Sequence, residues 1–250
     1  MVFVADAVGA EFVADAVGAV VADAVAVVTG GNRGIGREVC RQLADLGYRV
    51  VLTSRDAGAA EEVAGRLGVD HRRLDVTSDE SVRDLAAYVE ERYGRLDVLV
   101  NNAAVHYDSW QRAAGADLAV VREAMETNFY GPWRMVLALL PLLREGSHGR
   151  IVNVSSEAAS FASLAGGGWG HAGVRDVQGG VERVDGDVGG GVAAGSGAGQ
   201  RRLPGVGGYG HGWAGGRPVA EGAASVVWGV TLPDDGPTGG FFRDGRRVPW

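Results

Sequence analysis

The residues best suited to bind a ligand form one glycine-rich segment in the first fifth of the chain, Thr29-Gly30-Gly31-Asn32-Arg33-Gly34-Ile35-Gly36. A short apolar stretch precedes it, and apolar residues with helical spacing follow it. Glycines at such a junction permit a tight turn and let the backbone approach a pyrophosphate, while the start of the helix offers free N–H groups. The segment predicts a dinucleotide site; a plain turn between a strand and a helix is the alternative.

The elements around this segment alternate regularly. Apolar strands are predicted at residues 26–28, 50–52, 73–76, 98–100 and 150–154, and helices at 37–46, 59–67, 78–93, 118–143 and 218–230. Continuous apolar strands separated by helices are typical of a parallel sheet covered on both faces. The predicted fold is therefore α/β, a Rossmann-like doubly wound sheet with the strand order 3-2-1-4-5.

The composition excludes several classes of protein. The 250 residues carry a net charge of −7 with no clustered basic stripe, which argues against a nucleic-acid partner. No apolar run reaches the roughly 20 residues that span a bilayer, so we expect no membrane association. The single cysteine, Cys40, excludes an intramolecular disulfide and a cysteine-cluster metal site. We expect a cytoplasmic protein without a bound metal.

Two regions depart from this pattern. Residues 3–10 recur unchanged at 12–19, so residues 1–24 are interpreted as a repetitive extension and 25–250 as a single domain. Residues 166–216 hold 21 of the 42 glycines, and each glycine costs a helix roughly 1 kcal/mol relative to alanine. This composition predicts disorder, with the sixth strand and the helix before it disrupted.

Several further motifs occur in a recognisable order: Asp75-Val76, Asn101-Asn102-Ala103-Ala104, Asn128, Ser155-Ser156 and the tail at 233–245. Together with the Thr-Gly-x-x-x-Gly-x-Gly spacing, they resemble the classical short-chain dehydrogenases/reductases, and the carbonyl-reductase-like members in particular. The resemblance covers about residues 25–165 and 216–250. It implies hydride transfer between a nicotinamide cofactor and a small carbonyl or alcohol substrate.

The resemblance also implies roles for individual residues. Asp75 would accept a hydrogen bond from the adenine amino group beside the Val76 backbone, and Asn102 and Ala103 would line the nucleotide. Ser156 would bind the substrate carbonyl oxygen, and Asn128 would hold a proton-relay water. Each position also has an ordinary structural interpretation, such as a turn or a packing contact.

The charges near the predicted nucleotide indicate which cofactor is bound. An NAD enzyme would carry an acidic residue at the end of the second strand to hold the ribose hydroxyls. This chain has Thr53-Ser54-Arg55 there, and Arg33 lies in the glycine-rich segment. Two guanidinium groups suit a 2′-phosphate, so we expect NADP(H) to be preferred over NAD(H). Two solvated arginines are the alternative.

The proton donor that the resemblance calls for is missing. The family carries Tyr-x-x-x-Lys on the next helix, where the lysine lowers the pKa of the tyrosine. Here all 24 basic residues are arginine, and the only tyrosine after Ser156 is Tyr209, followed four residues later by Trp213. We expect impaired activity, so a non-catalytic dinucleotide-binding remnant and an interaction scaffold remain alternatives. A homo-oligomer is also left open, because the affected helix commonly forms subunit contacts in the family.

The genetic code suggests how the pair was lost. Back-translated and read one nucleotide later, Val174-Arg175 permits tyrosine and Gln178-Gly179 permits lysine, in the Tyr-x-x-x-Lys spacing. Residues 209–214 permit Thr-Asp-Met-Gly-Gly in the same frame, which resembles the family's loop over the cofactor. We hypothesise two compensating frameshifts, one near 165–172 and one near 214–216.

Overall fold

The computed structural model describes residues 23–105, 115–155, 218–234 and 236–249, together with the backbone of 191–195. Their strands form one sheet in the order β3-β2-β1-β4-β5-β6-β7-β8. All neighbouring strands pair in parallel except β7 and β8. The strands are β1 Val25–Val28, β2 Arg49–Ser54, β3 Asp70–Arg73, β4 Val98–Asn101, β5 Arg150–Ser155, β6 Gly191–Gly195, β7 Gly240–Arg243 and β8 Arg246–Arg247. The Rossmann-like fold and the order 3-2-1-4-5 are confirmed.

Helices cover both faces of this sheet because its strands are apolar on both sides. They are α1 Gly34–Asp45, α2 Ala57–Leu67, α3 Asp79–Tyr93, α4 Leu118–Met125, α5 Gly131–Glu145 and α6 Val219–Val230. Buried residues of α1, α2 and α6 form one core with one face of the sheet, and those of α3 and α5 form a second core with the other. Two local signals acted as expected: Ser78 caps α3 through a bond from the Ser81 N–H, and Gly68 ends α2 in the left-handed conformation.

Three elements differ from the sequence prediction. Strand β3 ends at Arg73, and the chain then turns, whereas the pattern placed the third strand at 73–76. This strand lies at the sheet edge, where its polar residues meet solvent, so it carries no apolar signal. The long helix expected over 118–143 is interrupted by a π-helical turn at Glu126–Tyr130. The third difference concerns the sixth strand.

The expected disruption of the sixth strand is not confirmed. The backbone of Gly191–Gly195 pairs in parallel with β5 on one side and with β7 on the other. Ladder hydrogen bonds need only the backbone, so a strand with glycine at both ends can bridge two well-formed neighbours. The helix expected before it and the repetitive extension, apart from Asp23 and Ala24, lie outside the described residues.

A buried carboxylate connects the amino ends of the central strands, opposite the end that carries the glycine-rich segment. Asp97 is 0% exposed and accepts hydrogen bonds from the Val25 N–H at 2.8 Å and the Ser147 N–H at 3.0 Å. The Arg95 guanidinium donates to it at 3.2 Å. Because these partners come from different segments, the carboxylate fixes β1 and the entry to β5 against β4.

Replacing Asp97 with alanine should destabilise the fold by about 3 kcal/mol, because the buried Val25 N–H and the part-buried Ser147 N–H lose their acceptor. Denaturant unfolding at pH 7 measures the effect. The matched control is Asp45→Ala, which removes an exposed carboxylate paired with Arg41 and should cost less than about 1 kcal/mol. Equal losses for the two variants would contradict the assigned role.

Candidate functional site

The predicted nucleotide-binding residues meet where the sheet order reverses, at the carboxyl ends of β1 and its neighbours. Thr29, which follows β1, is 1% exposed. Its hydroxyl accepts hydrogen bonds from the N–H groups of Asn102 and Ala103, each at 2.9 Å. The Gly31 N–H donates to the Thr53 carbonyl at 2.8 Å. The glycine-rich segment is therefore fastened to the ends of both β2 and β4.

The conformation of this segment depends on glycine at defined positions. Gly30 and Gly34 have φ angles of +65° and +54°, in the left-handed region that disfavours side chains. A Cβ atom on Gly36 would lie 2.3 Å from Asn102 Nδ2 and 2.4 Å from the Gly30 carbonyl oxygen. Asn102 Nδ2 itself donates to the carbonyls of Thr29 and Gly30 at 2.9 and 3.1 Å. The resemblance implied only that Asn102 lines the nucleotide, so this side-chain clamp was not predicted.

The N-terminus of α1 has no side-chain cap, a feature that it shares with α5 and α6 but not with α2, α3 and α4. Asp56, Ser78 and Asp117 each accept a hydrogen bond from the first turn of their own helix. In α1, the capping residue Arg33 makes no such bond, and the first turn has no acidic side chain. Asn32 and Ile35 flank this start within the same segment. The first turn of α1 thus has N–H groups that its own side chains do not cap, which favours an anion there.

Asp75 lies in a tight turn just after β3. Its Oδ1 accepts hydrogen bonds from the Thr77 N–H at 3.0 Å and the Thr77 hydroxyl at 2.7 Å. Partial burial alone would raise the pKa of Asp75, but the bonds from Thr77 and the nearby Arg55 and Arg73 charges outweigh it and lower that pKa. Asp75 is therefore a fixed carboxylate. Val76, beside it, is buried.

The two arginines that suggested NADP(H) are both exposed and belong to this end of the sheet. Arg33 precedes α1, and Arg55 follows β2. Arg73, at the end of β3, donates to the Arg55 backbone carbonyl at 3.4 Å. The positive charge thus extends over the carboxyl ends of β2 and β3.

Asn128 lies in the π-helical turn, buried beneath the segment that follows β4. Its Oδ1 accepts from the Val105 N–H at 2.9 Å, and its Nδ2 donates to the Val105 carbonyl at 3.0 Å. The Asn128 side chain therefore holds the backbone of Val105, three residues beyond Asn102. A water held at this residue, as the resemblance implies, would use the second N–H of Nδ2, the second lone pair of Oδ1 or the backbone.

Two buried asparagine side chains form a hydrogen-bonded pair that the sequence did not predict. Asn101 Nδ2 donates to Asn153 Oδ1 at 2.7 Å across adjacent strands β4 and β5. Asn101 Oδ1 and Asn153 Nδ2 are buried and have no partner among the described protein atoms. The detectable signal was an asparagine directly after each of two apolar runs, Val98-Leu99-Val100 and Ile151-Val152.

Within the described residues, no other candidate residue adds to this site. Ser156 and Tyr209 lie outside the described residues. Burial raises the pKa of the Cys40 thiol, which disfavours a thiolate nucleophile. No group of His, Cys, Asp and Glu residues within the described ranges could hold a metal ion. In the same ranges, no helix combines the length and apolar character needed to cross a bilayer.

Gly36→Ala should abolish nucleotide binding and destabilise the fold, because the new methyl group would collide with the Gly30 carbonyl and the Asn102 amide. Fluorescence titration with NADPH and denaturant unfolding measure the two effects. The control is Gly65→Ala in α2, where a Cβ meets nothing within 4 Å. It should leave binding unchanged and stabilise the fold by about 0.4–1 kcal/mol. Undiminished binding by Gly36→Ala would contradict the packing described.

Comparison with known proteins identifies the family. The family model described as short chain dehydrogenase matches residues 24–169, more than half of the chain. The (+)-neomenthol dehydrogenase of Arabidopsis thaliana is 38% identical over 164 residues, 56% of this chain and 55% of that protein. The human carbonyl reductase [NADPH] 3 is 40% identical over 141 residues, 53% and 48% of the two chains. This chain thus spans about half the length of these two relatives.

Solved structures agree. Salutaridine reductase from Papaver somniferum superposes with a TM-score of 0.69 at 26% identity, covering 88% of this chain and 99% of that one. The NADP active-site complex of Pseudomonas aeruginosa RhlG gives a TM-score of 0.61 at 28% identity, covering 68% and 67%. By its sequence and its fold, the chain belongs to the short chain dehydrogenase family.

Proposed function

We propose that this chain binds NADP(H) at the carboxyl ends of β1, β2 and β4 and derives from an enzyme that reduces small carbonyl compounds or oxidises the alcohols. The observation that carries the proposal is the glycine-rich backbone next to a helix start without a side-chain cap. The path of this backbone leaves no room for a Cβ at Gly36. Relatives with NADP or NADPH in their names support the choice of cofactor.

The residues present fit such a cofactor. The first turn of α1 would hold the pyrophosphate, Asp75 the adenine amino group, and Arg33 and Arg55 the 2′-phosphate. The backbone of Asn102 and Ala103 would line the nucleotide. The bound nicotinamide supplies or accepts a hydride. Ser156 would hold the substrate oxygen, and Asn128 would fix the segment through Val105.

Turnover is proposed to be impaired in the chain as written. Neither a tyrosine paired with a lysine nor any lysine occurs in the sequence. We propose that two compensating frameshifts across 166–216 removed the pair, and the coding DNA tests this directly. If the codons for residues 174–179 cannot encode Tyr-x-x-x-Lys in the shifted frame, the frameshift proposal fails.

Cofactor preference provides one test. NADPH should bind more tightly than NADH, and Arg55→Asp should reverse the order, because a carboxylate repels the 2′-phosphate and accepts bonds from the free ribose hydroxyls. Fluorescence titration of both nucleotides measures the ratio. Arg66→Asp, on the exposed surface of α2, is the matched control and should leave the ratio unchanged. An unaltered ratio in Arg55→Asp would remove this residue from the site.

Activity provides a second test. General acid catalysis typically contributes about 10²–10⁴-fold. The chain should therefore reduce a panel of small ketones at least about 100-fold more slowly than a version with the alternative frame restored across 172–214. NADPH consumption at 340 nm measures both. Comparable rates in a sequence-verified chain would show that another group donates the proton.

A further inference from the structure

One guanidinium group lies between carboxylates from two separate parts of the chain. Arg134 Nε donates to Asp79 Oδ1 at 2.9 Å, and its Nη2 donates to Glu126 Oε2 at 2.7 Å. Its Nη1 also reaches the Glu126 backbone carbonyl at 3.5 Å. The Arg134 side chain is only 26% exposed. Without it, the two acidic side chains would lose the positive charge between them.

Each carboxylate belongs to a segment that reaches the proposed nucleotide site. Asp79 begins α3, directly after the turn in which Asp75 is held by Thr77, and the Asp75 N–H donates to Ser81 at 3.0 Å. The turn and the start of α3 therefore form one hydrogen-bonded unit. This unit would contact the adenine end of the nucleotide.

Glu126 begins the π-helical turn on the other side. Two residues later, Asn128 holds both backbone groups of Val105, in the segment that follows Asn102. A second contact joins the same two units, because a Cβ on Gly131 would lie 2.9 Å from Val76 Cγ2. Gly131, the residue that follows the π-helical turn, thus packs closely against Val76, in addition to the bridge made by Arg134.

We propose that Arg134 is a positioning residue that couples the Asp75 turn to the Asn128–Val105 contact, so that both walls of the nucleotide site are fixed together. This inference rests on the proposed function. It assigns to Arg134 no contact with nucleotide or substrate. A surface ion pair alone would add only about 0.2–1 kcal/mol to stability and would affect neither wall selectively.

The first test uses NADPH affinity of the full chain. Arg134→Met should weaken binding about threefold to tenfold, a coupling of ordinary size. Asp79→Asn and Glu126→Gln should each weaken it, and their combination should fall short of the product of the two effects, because both act through one guanidinium. In the Arg134→Met background, neither should weaken binding further. Arg122→Met, on the exposed surface of α4, is the control and should leave affinity unchanged.

The second test does not depend on the nucleotide. In Arg134→Met, hydrogen exchange at the Val105 amide should be at least about threefold faster relative to β1 amides. Arg134→Lys should restore part of the protection by replacing the charge. Multiplicative effects of Asp79→Asn and Glu126→Gln, or uniform acceleration of exchange, would overturn the inference. If the unaltered chain binds no dinucleotide, the proposed function fails, and Val105 exchange alone decides the role of Arg134.

Discussion

A single buried hydroxyl determines how the proposed site is built. β1 lies between β2 and β4, and a parallel sheet whose order reverses here leaves a crevice between the segments that diverge from these strands. Thr29 closes the base of that crevice, because its hydroxyl accepts the first two N–H groups after β4. An aliphatic residue of similar size would leave both donors without this acceptor, and the glycine-rich segment would lose its register against Asn102.

Backbone groups, more than side chains, make up the proposed phosphate site. The positive φ angles of Gly30 and Gly34 and the close approach at Gly36 set the path of the chain, and the start of α1 presents its N–H groups. The absence of lysine therefore has unequal consequences. It leaves this backbone-built site intact, whereas it removes the one cation that the family uses to lower the pKa of a tyrosine.

The sequence predicted those features that depend on local pattern. Periodicity, glycine positions and a capping residue were enough for the parallel sheet and for the helix limits at Gly68 and Ser78, whereas Asp75 and Asn128 were singled out by the family resemblance. Contacts between distant segments carried no local signal. Three such contacts each join residues more than 50 positions apart: the Asn102 clamp, the Asn101–Asn153 pair and the Arg134–Asp79 hydrogen bond. Strand β3 was misplaced for a different reason, since an edge strand need not be apolar.

None of the described polar side chains at the proposed site is suited to replace a tyrosine that acts as an acid. Amide groups such as that of Asn128 do not release a proton near neutral pH, and here both polar atoms of that amide are bonded to Val105. A serine hydroxyl such as that of Ser156 is intrinsically a weak acid. The proposed dinucleotide binding and the proposed proton transfer thus depend on different parts of this chain. The first would depend on backbone geometry within residues 25–155, and the second on residues whose identity the proposed frameshifts would have changed.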